Sequence, residues 1–279
     1  MNQNLKWTMI KAFAWVPDPI YIFFQHRFHL GFFPNLKNPK SYSEAFMKLK
    51  LEPQVRSYIK YTHKHDMKSW IASQVGEEWV IPTQCVLDHL DKKILKELPM
   101  PYIIKPTLGS QENAVIKSVE DVDLLNLKLR PHHLLYRERN YQGKRDWIIE
   151  PLLDKLENIY DIKAHCFYGK VVMFQVSLNN KSKSRCMIDR QGNIIPYPFA
   201  SGAEDHFDIK YHSLLPQLID VAEKLSQPFT FLRVDFMVSP HGCVIGELTF
   251  FPQGGYSLRK DKAMNKAWIS YFNKEASND

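Results

Sequence analysis

The period of the apolar positions changes along the chain, and the changes mark out its elements. From residue 55 to 75 apolar side chains recur at Val55, Tyr58, Ile59, Met67, Trp70 and Ile71, the spacing of one helix face, and Gly76 predicts the stop. From Val80 the pattern shortens to runs bounded by Pro, Gly and Asn: WVIPTQCVL, PYIIKPTLG, NAVIKSV, HLLYRER, DWIIEPLL and IYDIKAHCFYGKVVMFQVSL all read as strands. Helical spacing returns at 120–129 and at 213–226 (Leu214, Leu215, Leu218, Ile219, Ala222, Leu225), before a closing hairpin over 231–250. Ser43 is placed to cap a helix beginning at Glu44. Strand runs mixed with helices and tight hairpins predict an α+β fold with antiparallel sheets rather than a doubly wound parallel one.

The closing hairpin carries the sharpest chemical signal. Pro240-His241-Gly242 fits a three-residue loop with Gly242 left-handed in a G1 bulge, so that Ser239 opposes Cys243. Counting back along both strands sets Asp235 opposite Glu247 and Arg233 opposite Thr249, with Val234, Phe236, Val238, Val244, Leu248 and Phe250 on the core face. Opposed carboxylates repel. Either Arg233 balances them in a local network, or a hard cation such as Mg²⁺ uses the two acids and the hydroxyl as oxygen ligands.

Composition narrows the classes. The 279 residues are 44% hydrophobic and 24% charged, which is ordinary for a globular protein, and no apolar run reaches the roughly 18 residues of a spanning helix. The expectation is a cytoplasmic protein. Cys85, Cys166, Cys186 and Cys243 are widely spaced, as reduced thiols are, and no dinucleotide or P-loop glycine pattern occurs. The net charge of +7 favours an acidic partner, and the absence of a basic helix or an RNP-like strand argues against nucleic acid. The Trp- and Phe-rich residues 1–36 suit core packing first, then sugar stacking or an interfacial membrane contact.

In order along the chain, NPKSYSEAFMKLKL, KHDMKSWIASQVGEEWVIP, YIIKP, IIEPLL, DIKAHCFYGKV and RVDFMVSPHGCVIGELTFFPQGG resemble the ATP-grasp superfamily, and more closely its TupA-like branch of bacterial surface-polysaccharide and teichuronopeptide synthesis. The resemblance implies two α+β subdomains clasping ATP, at 61–149 and 150–279, behind a helical N-terminal segment at 1–60. It implies ATP contacts at Lys68, Lys105, Glu150, Leu152, Asp161 and Lys163, with the Leu152 amide meeting adenine because Pro151 has no donor. Lys64 takes the lesser role beside Lys68. Asp235, Glu247 and Thr249 correspond to the Mg²⁺ ligands, with Thr249 where many members carry Asn. Arg233 and the backbone N–H groups of Gly254 and Gly255 correspond to the stabilisers of the reaction's oxyanion. The loop TLGSQENAVI departs from the family's glycine-rich pattern, with Gly109 its sole glycine.

The implied activity is a carboxylate–amine ligase that makes an amide through an acyl phosphate, with a hexuronic acid of a capsular or O-antigen precursor and an amino acid as substrates. Rival readings are an ATP-grasp kinase of a sugar hydroxyl and a nucleotide-binding assembly protein without turnover. A metal-dependent glycosyltransferase would rest on an Asp-x-Asp triplet.

Overall fold

The computed structural model describes residues 12–109, 112–129, 132–153, 159–178, 185–195, 212–239, 242–256 and 262–273. Strands Cys85–Leu87 (β1), Tyr102–Pro106 (β2), Ala114–Ile116 (β3) and Trp147–Pro151 (β4) form a four-stranded antiparallel sheet in the order β1-β4-β2-β3. Strands Tyr160–Phe167 (β5), Lys170–Leu178 (β6), Arg185–Ile188 (β7), Phe231–Ser239 (β8) and Gly242–Thr249 (β9) form a five-stranded antiparallel sheet in the order β7-β6-β5-β8-β9. The architecture is α+β, as expected. β7 has no counterpart in the sequence reading.

One face of the larger sheet, with Ile162, Ala164, Cys166, Val234 and Phe236 all buried, packs on the helix Leu215–Ser226, whose Ala222 carbonyl lies 3.8 Å from Cys166 Sγ. The other face is divided. At one end Phe167 and Phe231 are covered by the helix Tyr42–Lys50 and the C-terminal helices through Phe46 and Phe272. At the other end the same face carries charge. The smaller sheet has its own core of Leu95, Tyr102, Ile104, Ile116, Val122, Trp147 and Ile149. All four cysteines are free.

Local chemistry moved several boundaries. The helix Tyr42–Lys50 is capped by Ser41 rather than Ser43, two residues earlier than expected: Ser41 Oγ accepts from the Glu44 amide and donates to Glu44 Oε2. The helical run over 55–75 is interrupted. Pro53–Tyr58 is a 3₁₀ turn, Ile59–Thr62 a short helix, and extended His63 caps a new helix, Lys64–Val75. The helix expected over 120–129 is shorter, Val119–Leu124. HLLYRER is not a strand. His132–Tyr136 is helical and ends at left-handed Arg137 (φ 54°), and its Leu135 and Tyr136 carbonyls accept side-chain donors from Gln25 and Lys50 instead of a sheet partner.

The acid hairpin shows two departures that cancel. Ser239 pairs with Gly242, not Cys243, and Gly242 has φ 145°, outside the left-handed helical well. Pro240 and His241 lie outside the described residues. A bulge at Gly246 then shifts the register by one, so Asp235 still faces Glu247 and Arg233 still faces Thr249. Nearer the turn, Ile245 rather than Val244 therefore occupies the core position.

Candidate active site

Two clusters of buried charge face one another across the junction of the sheets. On the smaller sheet, the register places Glu150 of β4 opposite Ile103 of β2, on the same face as Lys105 two residues further on. Glu150 is almost fully buried, and its carboxylate holds two ammonium groups: Lys105 Nζ donates to Oε2 at 2.7 Å, and Lys68 Nζ lies 2.5 Å from Oε1. Lys68 also donates to Thr83 Oγ1 at 2.7 Å. Burial alone would push the Glu150 carboxyl up, but the two lysines hold it below the usual carboxylate range.

Lys64 belongs to the same cluster. Its side chain is buried and donates to the Gly109 carbonyl at 2.8 Å, while its amide donates to the Thr107 carbonyl at 2.8 Å. Burial lowers the pKa of its ammonium, and Glu247, Glu150 and Glu112 work against that shift. Lys64 thus feels carboxylates of both sheets and pins the loop that follows Lys105.

On the larger sheet the polar stripe crosses three strands, with Asp161 and Lys163 on β5, Arg233 and Asp235 on β8, and Glu247 and Thr249 on β9. Gln175 of β6, opposite Lys163, extends it. Arg233 grips Asp235 with a two-pronged fork, Nε to Oδ1 and Nη2 to Oδ2, both at 2.6 Å, and Nη2 also donates to Thr249 Oγ1 at 3.1 Å. Lys163 pairs with Asp161 and lies 3.5 Å from Asp235 Oδ2. Burial opposes ionisation of Asp235, yet Arg233 and Lys163 hold its carboxyl below the usual range. Tyr141 donates to Glu247 Oε1 at 3.5 Å.

Of the two expected companions of the acids, the structure shows Arg233. Asp235, Glu247 and Thr249 are an oxygen donor set of the type Mg²⁺ takes, and they share one face of adjacent strands. Both Asp235 oxygens are engaged by Arg233, so a cation entering here would share Asp235 with the guanidinium. Among the described residues no group of three or more His, Cys, Asp and Glu is arranged around a metal position.

The Leu152 amide donates to the Pro101 carbonyl at 3.1 Å, so it is engaged within the protein. The loop Pro252–Gly255 follows β9 closely, with Gln253, Gly254 and Gly255 all at positive φ. A Cβ at Gly254 would lie 2.5 Å from Tyr136 Cγ, and one at Gly255 2.9 Å from Phe46 Cβ, and both residues have positive φ, so a side chain at either is disfavoured. The Gly254 amide donates to the Phe251 carbonyl at 2.8 Å. The loop is tied from beneath by Lys50, which is fully buried and donates to the Gly254 and Tyr136 carbonyls at 2.5 and 2.7 Å. Burial brings the Lys50 ammonium down to about 8 and pushes the Glu138 carboxyl up to about 7. Periodicity could not have singled out Lys50, Lys64, Glu138 or Tyr141. They come from three separate segments, Glu138 and Tyr141 sharing one, and become neighbours only through tertiary packing.

The chain does contain one Asp-x-Asp triplet, Asp121-Val122-Asp123. It serves the helix Val119–Leu124: Asp121 accepts from the amides of Lys117 and Ser118, and Asp123 pairs with Lys96 at 2.8 Å. Both roles are local and exposed.

The sequence matches the TupA-like ATP-grasp family over residues 44–272. The chain belongs to that family. Among solved structures it is similar to the D-alanine–D-alanine ligase of Helicobacter pylori (15% identity, 77% of this chain and 60% of that one, TM-score 0.44). It is also similar to the L-amino acid ligase of Bacillus licheniformis (14%, 83% and 54%, 0.45) and to the D-alanine–D-alanine ligase of Bacillus anthracis complexed with ATP (13%, 75% and 60%, 0.41). The chain spans 54–60% of the length of these structures. A search of curated proteins finds no match.

Proposed function

We propose that this protein is an ATP- and Mg²⁺-dependent carboxylate–amine ligase, joining an amino acid to a hexuronic acid of a capsular or O-antigen precursor. The observation that supports the reading best is the opposition of a lysine-rich cluster (Lys64, Lys68, Lys105) to an acid-rich one (Asp161, Asp235, Glu247) at the junction of two sheets, in a chain of ATP-grasp ancestry. Lysines at one wall suit the phosphates of ATP. Asp235, Glu247 and Thr249 would hold Mg²⁺, which supplies neutralisation of phosphate charge.

In the proposed sequence a substrate carboxylate oxygen attacks the γ-phosphorus, the bond to the β–γ bridging oxygen breaks, and ADP leaves. The amine then attacks the acyl carbon, loses a proton and expels inorganic phosphate. Lys105 and Lys68 would be drawn partly from Glu150 towards phosphate. Arg233 would carry the negative charge that develops on the acyl oxygen, helped by the Gly254–Gly255 loop. The acidic saccharide matches the positive net charge, and its identity comes from the family resemblance alone.

The experiment is a screen for ADP release across uronic acids and amino acids, with hydroxylamine substituted for the amine. Hydroxamate formation together with ADP is the expected result. A phosphorylated hydroxyl without hydroxamate would make the protein a kinase, and AMP with pyrophosphate an adenylating enzyme.

A further inference from the structure

The N-terminal helix Asp18–Leu30 is apolar on two opposite sides. Ile22, His26 and Leu30 are buried against the body of the protein, and Gln25 and Tyr21 donate to the Leu135 carbonyl. Ile20, Phe24 and Phe28, two residues out of phase and so about 200° round the helix, point away from it. They are 51%, 62% and 86% exposed. Phe33 folds back beside them, stacked on Phe23 at 4.5 Å and edge-on to Phe24 at 6.0 Å. Trp15, 80% exposed, and Phe13, half exposed, precede the helix, and Arg137 Nη2 ties down the Phe13 carbonyl at 2.6 Å. Elsewhere among the described residues the exposed large apolar side chains, Ile94, Val119, Leu124 and Ile194, are scattered. A helix apolar on both sides calls for two burials, and the fold supplies one.

The charge around this face identifies what covers it. Between residues 12 and 41 the one exposed-side acid would be Asp18, and Asp18 turns inward to pair with Arg139 and Arg137. Arg27, in the stripe's own helix beside Phe28, and Lys37 and Lys40, in the segment that follows Phe33, are all exposed. In a symmetric pair of copies this basic rim would meet itself. An anionic surface complements it, and Trp and Phe flanked by Arg and Lys are the side chains that settle at the boundary of headgroups and acyl chains. No described helix is long and apolar enough to cross a membrane, so the contact lies in the plane of the surface.

We infer that the N-terminal aromatic face, Trp15, Ile20, Phe24, Phe28 and Phe33 with its rim of Arg27, Lys37 and Lys40, docks the protein onto an anionic lipid bilayer. This inference uses no part of the ligase reading and stands or falls apart from it. The test is flotation of the full chain with phosphatidylglycerol–phosphatidylcholine vesicles and with phosphatidylcholine vesicles alone. Wild type should float with the anionic vesicles and several-fold less with the neutral ones, and raising NaCl to about 0.5 M should weaken the binding. Phe24→Ser/Phe28→Ser should lower partitioning at least about tenfold, because two large rings leave the acyl boundary. Lys37→Glu/Lys40→Glu, which leaves the helix untouched, should lower it several-fold, and ATP binding should be unchanged in both variants. The inference is overturned if wild type ignores anionic vesicles, or if both double variants bind as wild type does. It is equally overturned if sedimentation without lipid shows a dimer that Phe24→Ser/Phe28→Ser converts to monomer.

Discussion

The two sheets bury charge in opposite ways. On the smaller sheet Lys64, Lys68 and Lys105 meet two buried carboxylates, Glu150 and, at Lys64, Glu112, so cations exceed anions. On the larger sheet Arg233 and Lys163 answer three carboxylates, Asp161, Asp235 and Glu247, so anions exceed cations. Neither cluster is neutral alone. A buried ion pair is seldom a source of stability, because desolvation offsets most of the attraction, and the two walls answer one another in part, since Glu247 across the junction works on the Lys64 ammonium. A polyphosphate with its divalent cation has charge for both walls.

Variants that unbalance the larger sheet should have the largest effects. Asp235→Asn and Glu247→Gln should each cut turnover roughly 10³-fold or more. They should differ in stability. Asp235→Asn strips the buried Arg233 guanidinium of its counter-ion, at a cost on the order of 3–5 kcal/mol, whereas Glu247→Gln keeps an acceptor for Tyr141 and should melt close to wild type. Equal melting temperatures would break the asymmetry. Arg233→Met should lower kcat and kcat/KM together by roughly 10²- to 10³-fold. It should also leave Asp235 with Lys163 as its remaining cation, so that Mg²⁺ restores part of the lost thermal stability; a variant indifferent to Mg²⁺ would place the cation elsewhere.

The smaller sheet sharpens the comparison at a lower level. Lys105→Ala should raise the ATP Kd roughly 10- to 100-fold through loss of a charge-assisted contact. Sequence position gave Lys64 little weight, but its burial and its bond to the Gly109 carbonyl imply that Lys64→Ala raises the Kd to a similar extent. Titration calorimetry on both variants decides this.

The contrast between the sheets also marks what the sequence could reveal. Alternation along β8 and β9 exposed the acid pair, because two acids set opposite one another on the face away from the apolar positions are visible without coordinates. The pairing of Asp235 with Glu247 was legible even though the turn and the bulge at Gly246 were both misread, since the bulge restores the register that the shorter turn shifts. The Arg233 fork was not legible, because side-chain rotamers leave no periodic trace. Glu150 was noticed as a backbone position, while its carboxylate, the counter-ion for two lysines, depends on helix Lys64–Val75 packing beside β4. HLLYRER read as a strand because Leu134, Leu135 and Tyr136 alternate with nothing, and only the donors from Gln25 and Lys50 show why it coils. The aromatic N-terminus looked like core. Half of that expectation failed, since Phe24 and Phe28 face outward.

A smaller effect comes from beneath the Gly254–Gly255 loop. The Glu138 carboxyl, pushed up to about 7 by burial, holds a proton in the folded state where the unfolded chain, near 4.3, has lost it. The folded state then binds more protons, so this contribution to stability is complete below about pH 4.3 and is lost as pH rises through about 7. Glu138→Gln should flatten the fall in melting temperature between about pH 5 and about pH 8, and an unchanged slope would remove Glu138 from the account.

Calorimetric titration of ATP into the wild-type protein, with Mg²⁺ and then with excess EDTA, tests most directly whether the two unbalanced walls enclose a metal–nucleotide complex. The account predicts saturable binding with Mg²⁺ that weakens at least about tenfold in EDTA, because without the cation the triphosphate meets Asp235 and Glu247 unshielded. Equal affinity with and without the metal, or no binding in either, would contradict it.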